Sequence, residues 1–182
     1  AGAPARGDET RPALPLLGEA GARLSVRDGV QVRLLRAESA AGFAQEWQGR
    51  ASLVTPCWCT GAGRALLLDH TAGEIAALLD DYELIGVGGP DAARTPAELV
   101  AANDHDRLRG VVAAHGEFEH GVTEYAVPVR DPEGRIRAAV SVVGRTQDLA
   151  PHERAIRTDL AAAAAALRDT LGGDGDGNGT AP

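Results

Sequence analysis

Two short runs of alternating apolar residues, ARLSVR (22–27) and VQVRLLR (30–36), meet at Asp28-Gly29, and this juncture constrains the fold more than any other feature of the chain. An Asp-Gly step between alternating runs is a strong signal for a tight antiparallel hairpin. The pattern recurs later. VTEYAVPV (122–129) and RIRAAVSVVG (135–144) are joined by Asp131-Pro132-Glu133-Gly134, residues suited to a turn, and a shorter run, VVAAH (111–115), precedes them.

Helical spacing fills the intervals. Thr10 caps a short expected helix that Gly21 stops, and Thr60 to Leu68 (TGAGRALLL) forms a glycine-rich turn opening into a helix. EIAALLD (74–80) predicts another. Thr95, Pro96 and Glu98 form a capping-box start for a helix running to Arg109, with Gly110 at its end. Ile156, Leu160, Ala163, Ala164 and Leu167 then mark one long helix from Leu149 to Leu171. The order predicts an α+β fold, with an antiparallel sheet of five or six strands and helices packed on it.

A length of 182 residues suits one domain with a real core, and 44% hydrophobic with 24% charged residues matches globular composition. Residues 1–9 are expected to be a linker or cloning remnant, 10–173 the domain, and 174–182 a disordered tail. A net charge of −8 without a basic cluster argues against this chain gripping a phosphate backbone. No apolar run approaches the roughly 20 residues of a spanning helix. No signal-peptide pattern is visible, and a reducing cytoplasm is the expected setting.

Four segments offer chemistry. Asp174 to Gly179 mimics the opening of a calcium loop, but the chain ends before the Glu that such a loop needs at its twelfth position. Cys57 and Cys59 are spaced for neither a structural disulfide nor a four-ligand zinc site. They are either a nucleophile pair or buried, inert thiols. His115, Glu117, Glu119 and His120 fall close enough together to hold a metal, or are simply solvated in a turn. Gly61-Ala62-Gly63 exposes backbone N–H groups at a helix start, where an anionic ligand is favoured. No cofactor is called for.

Three blocks in order, Thr60 to Leu68, Gly110 to Gly144 and the closing helix ending in LGG, resemble the C-terminal effector-binding domain of the isocitrate lyase regulator (IclR) family of bacterial transcription factors. The matching residues are Gly110, Glu117, Gly121 and Val122, then the strand Ala126 to Val129, then Ala139, Ser141 and Gly144, within a resemblance spanning residues 12 to 173. The resemblance implies a GAF-like sensor fold, a curved antiparallel sheet with a loop-closed pocket, and a homodimer or tetramer. It also implies a winged helix-turn-helix domain that has no counterpart here, so that DNA would be met only through a part outside this chain.

By the same resemblance, Gly61 and Ala62 donate N–H groups to a small organic effector and Ser141 a hydroxyl, while Trp47, Thr55 and Val122 line the pocket. Three positions depart from the pattern: Glu124 stands where members binding glyoxylate or pyruvate carry a small Cys, Val143 at a polar position, and Ala114 at an acidic one. These departures argue against a two- or three-carbon acid, and Trp47 suggests a larger, flatter effector, an aromatic or hydroxylated acid. If Glu124 faces the pocket it repels an anion and accepts hydrogen bonds from hydroxyl, amine or amide groups. A one-residue strand slip would turn it to solvent instead. The leading expectation is a non-enzymatic effector-sensing and oligomerising domain of a transcriptional regulator. Its rivals are a thiol-dependent enzyme using Cys57 or Cys59 and a dimerisation module without a ligand.

Overall fold

The computed structural model of the chain describes residues 21–39 and 54–173. The helix expected after Thr10, the 1–9 linker, Trp47 and the calcium-like tail lie outside these residues. The hairpin forms as β1 (Gly21–Asp28) and β2 (Gln31–Ser39), with its turn one residue later than expected. Asp28 pairs with Gln31, which leaves Gly29 and Val30 as the loop, and Gly29 takes φ +60°. A two-residue loop with glycine at its first position matches a type II′ turn, so the glycine rather than the aspartate sets the register. A bulge follows, because Leu24 pairs with Arg36 and Ser25 with Leu34, leaving Leu35 unpaired and exposed.

Two residues, Thr55–Pro56, form a short β3 against β2, a strand the sequence pattern does not reveal. β4 (Val112–His115), β5 (Val122–Arg130) and β6 (Ile136–Arg145) complete six strands in the order β3-β2-β1-β6-β5-β4, all paired antiparallel. β6 pairs with β1, so the early hairpin and the late strands make one sheet.

Thr60 caps α1 (Gly61–Leu66), its Oγ1 accepting from the Gly63 N–H at 3.1 Å. Thr71 and Glu74 make a full capping box on α2 (Ala72–Leu79), which starts two residues before its expected position. On α3 (Pro96–Arg109) the Glu98 N–H donates to Thr95, but the Glu98 carboxylate reaches back to the Arg94 N–H, one residue beyond the cap. Gly110 closes α3 at φ +72°. The long terminal helix is divided. α4 (Thr146–Leu149) gives way to a 3₁₀ turn at Ala150–His152 before α5 (Glu153–Gly173) begins. Pro151 sits in that turn; it lacks an N–H and is tolerated at a helix start but not inside one.

Both faces of the sheet are covered. Ala22, Tyr125, Val127, Val129, Val140 and Val142 pack against Ile156, Leu160 and Ala163 of α5. On the other face, Val112, Ala126 and Ala139 pack against Ala62, Ala65 and Leu66 of α1, with Ile75, Leu79 and Leu99 behind them. For this reason β5 is buried continuously from Val122 to Val127 instead of alternating.

Candidate functional site

On the α1 side, a closed cavity opens where α1 begins against the sheet. Thr60 and Gly61 form one wall. Across it stand Ala114 on β4, Val122 and Glu124 on β5 and Val143 on β6, with Arg23 of β1, Thr55 of β3 and Phe118 of the β4–β5 loop closing the sides. It encloses about 20 Å³, room for about one water, so an effector must widen it. A broader groove of about 770 Å³ runs beside the start of α5 between Gly110 and Ala161, but it is open and walled mostly by exposed residues. Buried charge marks the smaller cavity as the chemically distinctive one.

Strand register sets what the cavity presents. Ala114 pairs with Glu124 and Glu124 with Val143, so the three positions that depart from the family pattern are direct cross-strand neighbours in one row. Glu124 faces inward and is 5% exposed, which removes the slipped-strand alternative. Its Oε2 accepts the Gly61 N–H at 2.7 Å. Gly61 leaves no space for a side chain, since a Cβ there would come within 2.8 Å of the Glu124 carbonyl oxygen. Burial pushes the Arg23 guanidinium below its ordinary value, and the Glu124 charge opposes that shift.

Not every expected residue reaches the cavity wall. Ala62 is packed in the core beneath α1. Ser141 pairs with Ala126 and Arg23, which places it on the Glu124 side of the sheet, one pair along from Val143. It is fully buried, its Oγ has no hydrogen-bond partner among the described residues, and it does not line the cavity. Arg23 and Phe118 were not anticipated. Alternation in ARLSVR sets Arg23 opposite Ala22 and Leu24, the side that faces solvent in a sheet covered once.

Behind the cavity, Arg64 is 2% exposed and uses its whole fork. Nη1 donates to Glu117 Oε1 at 2.6 Å, Nη2 to Asp106 Oδ2 at 2.6 Å and Nε to Asn103 Oδ1 at 3.1 Å. The guanidinium thereby ties α1 to α3 and to the loop carrying Phe118. Burial raises the Glu117 carboxyl to about 7, against the pull of Arg64 and with Asp106 and Glu124 adding to the rise. The only sequence signal was a charge set inside an apolar block, GAGRALLL.

The other candidates disperse. Glu117 turns inward to Arg64, whereas His115 Nδ1 lies 3.0 Å from Thr123 Oγ1, and among the described residues no three His, Cys, Asp or Glu side chains converge to hold a metal. Cys57 and Cys59 are buried at 0% and 1% exposure. Burial pushes their thiols up to about 11 and about 12, so both stay protonated at neutral pH. Gly63 adjoins them for a packing reason: a Cβ there would stand 2.4 Å from the Cys57 carbonyl oxygen. The thiol-enzyme reading finds no support in this geometry.

A curled antiparallel sheet of six strands with helices on both faces defines a GAF-like α+β domain. Residues 22–169 match the family described as bacterial transcriptional regulator IclR C-terminal, and the chain belongs to that family. Among curated proteins none matches it in sequence. The same fold is seen in the C-terminal domain of the Escherichia coli transcriptional regulator KdgR, at TM-score 0.72 and 19% identity over 84% of this chain and 88% of that one. A double mutant of the inducer-binding domain of PobR from Acinetobacter, solved with 3-hydroxybenzoic acid, matches at TM-score 0.70 and 21% identity over 81% of this chain and 86% of that one. An IclR homologue from Microbacterium hydrocarbonoxydans complexed with 4-hydroxybenzoate matches at TM-score 0.68 and 26% identity, over 83% of this chain and 60% of that longer one.

Proposed function

We propose that this chain is the effector-sensing and oligomerising domain of a DNA-binding transcriptional regulator, with the effector held in the cavity between α1 and strands β1, β5 and β6. One observation carries the reading: a closed cavity lined by Arg23 and Glu124 lies at the junction of α1 with the sheet. Family membership supports it, as do the hydroxybenzoates present in two proteins of the same fold. The effector is a small, flat molecule, aromatic or hydroxylated. Thr55, Gly61, Val122, Glu124 and Val143 are the contacts on this chain, together with Arg23 and Phe118.

Widening an almost filled cavity pushes α1 away from the sheet, and α1 is tied to α3 by Arg64. Binding therefore favours one arrangement of the domain by its differential affinity for the two states. In an oligomer, that preference sets the spacing of DNA-binding parts outside this chain. The chain, at net charge −8, does not hold duplex DNA itself. No helix among the described residues is long and apolar enough to cross a membrane. The proposed setting of the regulator is the cytoplasm.

A thermal-shift screen of small organic molecules tests the reading, because a ligand that binds only the native state stabilises it by RT ln(1 + [L]/Kd) and so raises the melting temperature. Saturable shifts that vanish in Val143→Arg, which fills the cavity, are expected. Shifts that persist unchanged in that variant would move the site elsewhere. Light scattering is expected to give a dimer or tetramer at tens of micromolar.

A further inference from the structure

The cavity already contains a carboxylate, and it belongs to the protein. Glu124 is 5% exposed, its Oε2 accepts the Gly61 N–H at 2.7 Å, and the side chain stands in a space of about 20 Å³. Its cross-strand neighbours Ala114 and Val143 have no polar side-chain atom to share it with. Among the described arginines, Arg64 is committed to Glu117 and Asp106, and Arg23 lines the cavity together with Glu124. A ligand carboxylate entering here would set a second carboxylate beside the first in a water-poor site, where like charges repel strongly. It would also find the Gly61 N–H already taken. A ligand that offers a donor meets an acceptor held in position by that same bond.

From this we infer that Glu124 selects the chemical class of effector: the cavity takes a small molecule presenting an ammonium, amide or hydroxyl donor to the Glu124 carboxylate and discriminates against its carboxylic-acid counterpart. The inference rests on the effector-binding reading above and deepens it. Glu124 is thus a specificity-determining residue, and Gly61 is the donor that holds it in place.

Matched acid, amide and amine probes separate the possibilities: 4-hydroxybenzoate, 4-hydroxybenzamide and 4-hydroxybenzylamine, with benzoate, benzamide and benzylamine beside them. Each is titrated by NMR into the wild-type chain and into Glu124→Gln, whose amide oxygen can still accept the Gly61 N–H without the charge. The wild type is expected to bind benzylamine or benzamide at least about tenfold more tightly than benzoate, with the Gly61 amide signal moving, and 4-hydroxybenzoate, which can turn its hydroxyl to Glu124, more tightly than benzoate. In Glu124→Gln the amine-to-acid ratio is expected to fall by at least about tenfold. A wild type that binds benzoate as tightly as benzamide, or a ratio unchanged in Glu124→Gln, overturns the inference and leaves the effector-binding reading standing. Binding by none of the six probes to either folded protein overturns the cavity as a site for such ligands, and the inference with it.

Discussion

Gly61 and Glu124 lie 63 residues apart in the chain and 2.7 Å apart in space, the amide of one donating to the carboxylate of the other. The relationship constrains both partners. Glu124 satisfies the first N–H of α1, which no intrahelical acceptor can reach. Gly61, having no Cβ, lets β5 approach closely enough for the bond to form.

Gly61→Ala is expected to destabilise the domain by about 1–3 kcal/mol, the usual range for overpacking a filled interior. Its new Cβ would meet the Glu124 carbonyl oxygen at 2.8 Å and the Glu124 Cγ at 2.9 Å. Because the nearest of these atoms is backbone, Glu124→Ala should not rescue the variant. Urea midpoints of the two single variants and the double variant check this, and full rescue would show that only the side chain was in the way.

Arg64→Ala should cost about 3–5 kcal/mol, since it leaves the buried Glu117 without its cation and the buried Asp106 with only the more distant Arg109 at 4.0 Å. Arg64→Lys is not expected to recover the loss, because one ammonium cannot reproduce a fork that bonds Asn103, Asp106 and Glu117 at separate nitrogens. Chemical denaturation of both variants is the measurement. Wild-type stability in the lysine variant would mean that charge, not geometry, holds α1.

Stability should fall as pH rises through the window set by Glu117. Its folded carboxyl is raised from 4.5 to about 7, so the native state binds that proton more tightly than the unfolded chain does. By linkage, the favourable contribution is complete below about 4.5 and is lost as pH rises to about 7. Glu117→Gln removes this titration while Arg64, Asp106 and Glu124 remain around the site. Its melting temperature between pH 5 and 7.5 should therefore be flatter than that of the wild type. Parallel curves for the two proteins would assign the dependence to other groups.

Cys57 and Cys59 should resist a thiol reagent at pH 8 in the folded protein and react fully in denaturant, because only the opened chain exposes and ionises them. The labelling rate should track the opening equilibrium. Immediate labelling of the native chain would restore a nucleophilic role for the pair.

Local signals were legible wherever the physics is local. Asp28-Gly29 announced the hairpin, Thr95 and Pro96 the start of α3, Gly110 its end, and Asp131 to Gly134 the turn between β5 and β6. Each depends on the conformational preference of a few adjacent residues, so the chain alone determined them. The misses follow the same logic. The capping box at Thr71 and Glu74 was written in the chain but overlooked, whereas the reach of Glu98 to Arg94 depends on how the backbone enters the helix.

The residues by themselves determined an antiparallel α+β domain, most of its turns and caps, and the block order that marks its family. Tertiary structure alone decided that β1 pairs with β6, that β3 exists, and that helices cover both faces of the sheet. Those pairings place Arg23 inside, set Glu124 between Ala114 and Val143, and leave Ala62 and Ser141 behind the cavity wall. The reason is physical. Alternation along a strand specifies two faces but not what covers them, and whether a charge such as Arg23 or Glu124 meets water or a cavity depends on segments tens of residues away.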